Sequence, residues 1–305
     1  MAISRAQAMK ELLPGLNALF GLEYKRYAEE HKDIYSVESS DRSYEEETKL
    51  SGFGAAPVKN EGERIDYDVA QEFFTAKYRH ETIALGFAIT EEAIEDNLYD
   101  RLSARYTKAL ARAMAHTKQV KAVFPLNNAF ATANFTSGDG LALCSTHNRV
   151  DGGTVRNVLS TPADLSETSL EQAVIDIAAF TDERGLLIAA MPRKLIIHPT
   201  NQFVATRILK TEKRPGTADN DVNALVTNGV IPGGYSVNHY LSSTTPRNWF
   251  LLTDVPDGMK MFERVRMQTG MDGDFDTGNV RYKARERYSF GVSDYLGIFG
   301  SGTVS

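Results

Sequence analysis

The chain has 305 residues, 42% hydrophobic and 24% charged, with a formal net charge of -6. That composition supports a packed core and excludes global disorder, and the acidic balance excludes a dedicated nucleic-acid binder with a wholly basic surface. Cys144 is the only cysteine and the six histidines are scattered, so neither an intrachain disulfide nor a multi-thiolate zinc site is available.

Residues 1–35 predict a short helix, a break at Pro14-Gly15 and a second amphipathic piece, with Leu16, Leu19, Phe20, Tyr24 and Tyr27 at helical spacing. Lys10 and Glu11 interrupt any apolar h-region, and no stretch of about 18 apolar residues follows, so neither a signal peptide nor a membrane span is expected. A protein made in a reducing cytoplasm, with no membrane partner, is the expectation.

Residues 36–89 read as one long hairpin. Glu45, Glu46 and Glu47 form an acidic run, Gly52, Gly54, Pro57 and Gly62 mark a pliable tip that also carries Glu61 and Glu63, and Ile83, Leu85, Phe87 and Ile89 alternate as in a strand. Two strands alone are marginal in water, so the hairpin needs a body or a neighbour to lie on.

Thr90-Glu91-Glu92 predicts a helix start, and Ile94, Leu98, Leu102, Tyr106, Leu110, Met114, Thr117, Val120 and Phe124 follow at steps of three or four until Pro125 ends the run. About 35 residues at ~1.5 Å each make a rod of roughly 50 Å. Its opposite face is read as Asp100, Arg101, Arg105, Lys108, Arg112 and Lys118, either a solvated face or a basic stripe lining an interior.

Loops dominate 126–164, apart from the apolar run Leu141 to Cys144. A helix is expected over Ser166 to Asp182 with Gly185 ending it, a buried strand over Lys194 to Pro199, a helix over Asn201 to Lys210, a charged loop over Thr211 to Asp221, and strands over Tyr235 to Leu241 and Trp249 to Thr253 joined by a polar turn. Strands and helices mixed in this order predict an α+β fold.

Three readings compete for Gly273 to Gly291. Asp276-Thr277-Gly278 matches the aspartic-protease tripeptide, but no second copy exists to share a proton and only 27 residues follow Gly278. Asp272, Asp274 and Asp276 match three ligands of a calcium loop, but Thr277 stands where its glycine is needed and Lys283 where its bidentate glutamate belongs. Alternation fits better. Val280, Tyr282, Ala284, Glu286, Tyr288, Phe290 and Val292 share one strand face, and Arg281, Lys283, Arg285 and Arg287 share the other. Like charges in a row repel, so the basic face calls for acids on a neighbouring strand, such as Glu263, or on a partner. No phosphate loop, dinucleotide fingerprint or serine-nucleophile elbow occurs, so no cofactor, no resident metal and no catalytic residue is expected. A hydrolase with a site assembled from Asp139, His147 and distant acids is the alternative of a different class.

Four stretches carry a resemblance: Gly138 to Leu143, Leu159 to Ser166, Gly216 to Asp221, and Gly273 through Gly278 to Gly291. In these the chain resembles tailed-phage major capsid proteins, the Mu-like prophage major head subunits in particular. The resemblance implies the Johnson fold of the Hong Kong ninety-seven phage shell: an N-terminal arm (1–35), an extended hairpin loop (36–89), a peripheral domain (90–159 and 255–305, with its spine helix over 90–124) and an axial domain (160–254). It implies a non-enzymatic subunit that self-assembles as pentamers and hexamers into an icosahedral head around double-stranded DNA. Expected partners are portal, scaffold and decoration proteins and, without sequence preference, the DNA. No long scaffolding segment is seen before the arm, so a separate scaffold or an already trimmed protein is the expectation, with Met1 arguing against trimming. An encapsulin-like compartment shell of the same fold is the structural alternative. Within the shell reading, acidic Glu45, Glu46, Glu47, Glu61 and Glu63 are expected to meet basic Arg281, Lys283, Arg285 and Arg287 of an adjacent copy, or the basic face is expected to meet DNA.

Overall fold

The computed structural model describes residues 5–90, 92, 99–213, 222–274 and 278–303. Asp276, Thr277, residues 214–221 of the expected charged loop, and Glu91 and residues 93–98 of the expected helix lie outside them. The fold contains both helices and strands, as an α+β reading requires.

Helix α1 (Arg5–Arg26) is followed by a short 3-10 turn (Glu30–Asp33). Pro14 lies inside α1, so the break expected at Pro14-Gly15 is not there. A proline removes one backbone donor. That loss is offset because Leu16 and Phe20, on the next turns, are buried against Leu110, Ala111 and Met114 of helix α2 (Tyr99–Asn127). Helix α2 likewise runs through Pro125 rather than ending there, and the Asn128 amide still reaches the Phe124 carbonyl at 3.2 Å.

The span read as one hairpin divides into four strands, β1 (Ser36–Ser39), β2 (Tyr44–Leu50), β3 (Glu72–Arg79) and β4 (Glu81–Ile89). Only β2 and β3 form the projecting ribbon, and 51–71 make its irregular tip. β1 and β4 instead flank two long strands, β10 (Met259–Gly273) and β11 (Val280–Val292), in a sheet of order β1-β10-β11-β4. β4 leaves the ribbon because Phe87 stacks near Tyr106 and Tyr282, both at 5.5 Å between ring centres, beneath α2.

The rest of the chain builds β5 (Thr146–Asn148) paired with β6 (Thr154–Arg156), helix α3 (Glu167–Ala178), β7 (Pro192–Ile197), α4 (Gln202–Lys210), α5 (Ala224–Thr227), β8 (Tyr235–Val237), β9 (Trp249–Thr253) and β12 (Ile298–Ser301). Ser166 caps α3 reciprocally with Ser169, each side chain accepting from the other's backbone amide. Gly185, with φ +82°, shapes the turn from Asp182 to Leu186 and does not end the helix. The second sheet has the order β12-β9-β7-β8, so β8 and β9 are not neighbours: β7 lies between them, parallel to β8 and antiparallel to β9. Leu195, Ile196 and Ile197 are fully buried, which is what a central strand covered on both faces requires. The last strand, β12, closes this second sheet against β9.

One cluster fills the second unit, with Leu170, Ile177, Leu195, Trp249 and Phe299 at its centre. Another joins both units, because Ala122, Val123 and Leu126 of α2 pack with Ile196, Phe250, Met261 and Tyr288. Each such side chain is worth ~1.5–3 kcal/mol of burial, so the two sheets are fastened through the C-terminal half of α2. Among the described residues no helix is long and apolar enough to cross a membrane, and no group of three or more His, Cys, Asp or Glu side chains is arranged to hold a metal ion.

His31 marks the passage from arm to body. Its backbone amide donates to Gln119 Oε1 at 3.1 Å, and its Nδ1 lies 2.9 Å from Gln119 Nε2. Burial, helped by the Lys118 ammonium, pushes its pKa from 6.5 down to about 4. An unfolded histidine takes up its proton first on acidification, so the native state loses stability as pH falls from 6.5 towards 4. At about 1.4 kcal/mol per unit, that is roughly 3 kcal/mol in all. Urea unfolding across this range is expected to show that loss in the wild type and to lack it in His31→Gln; parallel pH profiles for the two proteins would contradict the assignment.

Candidate assembly surfaces

The ribbon is held at its root by charges taken out of water. Lys49 Nζ lies 2.9 Å from both Glu183 Oε1 and Asp294 Oδ1, and 4.3 Å from the centre of the Tyr295 ring. Glu183 is buried and also accepts from the Tyr295 hydroxyl at 2.8 Å. Two strand positions away, on the same face, Glu47 accepts from Lys260 Nζ at 2.6 Å and from the Ser293 hydroxyl, which is itself in contact with the Tyr78 hydroxyl. Burial works to lower the Lys260 pKa, but hydrogen bonds to Asp257 and Glu47 outweigh it and hold the group above the ordinary lysine value. This double clamp ties β2 and β3 to the turn between β11 and β12. Nothing in the sequence announces it, because Lys49, Glu183, Asp257, Lys260 and Asp294 share no spacing or motif.

The acids expected to face another copy thus divide. Glu45 accepts from Ser40 at 2.6 Å, Glu46 pairs across the ribbon with Lys77 at 2.8 Å, and Glu47 belongs to the clamp. Glu61 and Glu63 stay on the exposed tip, where Glu63 accepts from the backbone and side chain of Asn60. The tip also exposes large apolar groups, Val58 at 89% and Tyr67 at 92% among them. Its tie to the body is Arg184, which donates to Asp68 at 3.3 Å and to the Val69 carbonyl at 2.9 Å.

The alternation read from Val280 to Val292 is present. Val280, Tyr282, Ala284, Glu286 and Tyr288 are buried, while Arg281, Lys283 and Arg285 are exposed and Arg287 is half-buried. Arg281 is bound to Asp274. Lys283 and Arg285 have no ion-pair partner among the described residues. The strands beside them offer Gly86 and Gly270 opposite Lys283, and Ala84 and Gln268 opposite Arg285. A Cβ at Gly86 would meet the Tyr282 carbonyl at 2.7 Å, so the sheet's close approach requires glycine there. Glu263, the acid expected across the strand, faces Tyr288 and bonds Arg266 at 3.1 Å, leaving Lys283 and Arg285 unneutralised.

Under that row, Glu286 is buried and receives Lys118 Nζ and the Tyr24 hydroxyl, each at 3.3 Å. Burial raises its pKa against the pull of Lys118. Lys118 therefore does not belong to the exposed stripe on which the sequence placed it. It stands four residues after Met114 and seven after Ala111, on the face of α2 that meets the sheet. The apolar stripe is displaced to match: Tyr106, Val120 and Phe124 are exposed, and Ala111, Ala122 and Val123 take the core.

The residues of the hydrolase reading do meet. His147 Nδ1 lies 2.5 Å from Asp139 Oδ2, and its Nε2 lies 3.4 Å from the Ser145 hydroxyl. Burial opposes ionisation of Asp139, yet hydrogen bonds from His147 and Ser137 hold its pKa below the ordinary carboxylate value. But Nε2 also faces the Leu143 carbonyl at 3.3 Å, and Ser145 donates to the Ala142 carbonyl at 2.9 Å. The imidazole is fully buried and stacked on Tyr295 at 3.8 Å. With acceptors on both ring nitrogens and the imidazole buried, the trio braces a loop.

If the clamp fixes the ribbon, removing its central cation is costly. Lys49→Ala strands the buried Glu183 carboxylate and is expected to lower unfolding free energy by about 3 kcal/mol. Lys77→Ala, at the exposed pair with Glu46, is expected to leave the urea midpoint unchanged; equal effects from the two would show the clamp to be unimportant.

The whole architecture has known counterparts. It aligns with the virus-like particle from Pyrococcus furiosus at a TM-score of 0.57 and 10% identity, over 95% of this chain and 99% of that one. It aligns with the capsid of the empty GTA particle at 0.55 and 14% identity, over 90% and 89% of the two chains. For the capsid of Myoviridae phage XM1 the values are 0.52 and 13%, over 88% of each chain. At such identities these likenesses establish the fold. No curated protein matches by sequence. A family model described as "Phage capsid protein" matches residues 73–300, which run from the ribbon's returning strand to the last strand of the second sheet. The chain belongs to the phage capsid protein family and carries the shell-forming fold of tailed-phage major capsid proteins.

Proposed function

We propose that this protein is the repeating subunit of an icosahedral phage head, made in the host cytoplasm, and that its hairpin tip completes its burial only on an adjacent copy. The observation that carries this is the contrast between the ribbon's two ends. The root is held by two sets of ion pairs, whereas the tip exposes Phe53, Val58, Ile65, Tyr67 and Val69 beside Glu61 and Glu63. A monomer rarely leaves so much apolar surface on a projection without a partner for it. Family membership favours a head shell over a cargo compartment and over a hydrolase. The sequence stretches that resemble Mu-like head subunits are the ground for that finer affiliation.

In this reading 1–35 is the arm and 36–89 the extended loop with its flanking strands. The sheet of β10 and β11 with α2 is the peripheral unit, and 160–254 is the axial unit that meets its copies in pentamers and hexamers. Portal, scaffold and decoration proteins complete the head. The tip acids Glu61 and Glu63 are free to meet Lys283, Arg285 and Arg287 of the next copy, where small residues on both flanking strands leave room for an incoming chain. Charges at the rim of a contact govern specificity and approach more than affinity, so the apolar tip supplies adhesion and the ion pairs supply register.

Reversing two of these charges tests the contact. Lys283→Glu combined with Arg285→Glu is expected to leave the urea unfolding curve unchanged but to abolish particles in sedimentation and electron microscopy. Adding Glu61→Lys and Glu63→Lys to the same chain is expected to restore them. Shells of normal size from the first variant would show the pairing to be wrong.

A further inference from the structure

Helix α2 carries a second basic surface that the intersubunit contact leaves unused. Residues 102–127 contain no Asp or Glu, in a chain with 40 acidic residues. Lys118 is spent on Glu286, and Lys121 on Glu81. Arg105, Lys108 and Arg112 remain exposed, with no ion-pair partner among the described residues. Glu23 of α1 lines the same shallow cleft with Lys108, Arg112 and His116 but is held by Arg26 at 3.3 Å.

We infer that this stripe binds the phosphate backbone of double-stranded DNA without reading its sequence. The inference rests on the shell reading above and adds to it a partner for a surface which that reading does not occupy. Two features favour a duplex over an acidic polypeptide. The first is spacing: with ~1.5 Å of rise per residue and 100° of turn, Arg105 and Arg112 stand nearly in line about 10 Å apart with Lys108 between them. One strand of a duplex presents a phosphate every ~3.4 Å of axis, so such a run spans about three. The second is placement. α2 covers the face of the first sheet formed by Tyr282 and Ala284, while Lys283 and Arg285 project from the other face. The two basic surfaces thus lie on opposite sides of the subunit. In a wall one subunit thick, a neighbour's hairpin on one side leaves the other for the enclosed polymer.

The test is binding of a short fluorescein-labelled DNA duplex to the full-length protein, read by anisotropy over a series of salt concentrations. The wild type is expected to bind with a steep salt dependence. The triple variant Arg105→Ala, Lys108→Ala, Arg112→Ala is expected to reduce the slope of log K against log salt by about 2–3, since each lost phosphate contact removes about 0.9. The variant Arg105→Lys with Arg112→Lys, which keeps the charge, is expected to retain the slope, as is Lys283→Ala with Arg285→Ala. No binding by the wild type, an unchanged slope in the triple variant, or an equal loss in the Lys283 and Arg285 variant would overturn the inference. Electron microscopy of DNA-free material separates the two readings. The triple variant is expected to form the same empty shells as the wild type, and loss of its shells would assign the stripe to subunit contact instead. Absence of shells from the wild type would count against the shell reading and leave the DNA slopes as they stand.

Discussion

The architecture depends on a lysine held between two carboxylates. Taking the Lys49 ammonium and the Glu183 carboxylate out of water costs several kcal/mol per ion, recovered only when geometry and hydrogen bonding are good. Here both conditions hold: two 2.9 Å contacts, an aromatic ring beneath the cation, and the Tyr295 hydroxyl on the same carboxylate. Lys260 repeats the arrangement with Glu47 and Asp257. Such pairs contribute less to net stability than to direction, because a ribbon leaving at another angle would strand the buried Glu183 and Lys260 and the half-buried Lys49, Glu47 and Asp294. A defined exit angle is what a subunit needs if its projection is to meet the same surface on every neighbour.

The two faces of the first sheet do different work. Towards α2 it presents Tyr282, Ala284 and Tyr288, which fasten it to the helix and, through Phe250 and Ile196, to the second sheet. Away from α2 it presents Lys283 and Arg285 without ion-pair partners among the described residues, flanked by glycine, alanine and Gln268. Strand alternation alone separates the two chemistries by the thickness of one backbone. Helix α2 does the same at larger scale, with a core face of alanine, leucine and methionine and, from residue 102 onward, an exposed face free of acids. A shell-forming subunit places charge deliberately, because closing a shell depends on which subunit edges attract and which repel.

Much of this was legible in the sequence where the pattern is local. The strand alternation from Val280 to Val292, the Ser166 cap, the apolar run at Leu195 to Ile197 and the existence of the long helix all follow from periodicity and capping chemistry. What was not legible depends on tertiary contacts. Pro14 and Pro125 read as breaks because proline removes a donor, and only the packing of Leu16, Phe20 and Leu126 shows why the helices continue through them. The pair β8 and β9 read as successive strands, but a third strand from earlier in the chain separates them. Lys118 was taken for a surface charge because nothing local reveals Glu286, 168 residues away. The acidic run was assigned whole to a neighbouring copy, although Glu45, Glu46 and Glu47 find partners within the chain. The basic row and the tip acids were legible because exposed charges leave their pattern in the sequence; the clamp was not, because each of its members is isolated there.

Hydrogen–deuterium exchange of residues 51–71, compared between dissociated subunits and purified particles, tests the central claim most directly. Clamped at the root and uncovered at the tip, the ribbon should exchange fast through the tip in the free subunit and slowly in the particle, with β2 and β3 protected in both. Equal tip exchange in the two states, or a tip already protected in the free subunit, would contradict the claim that neighbours complete this fold.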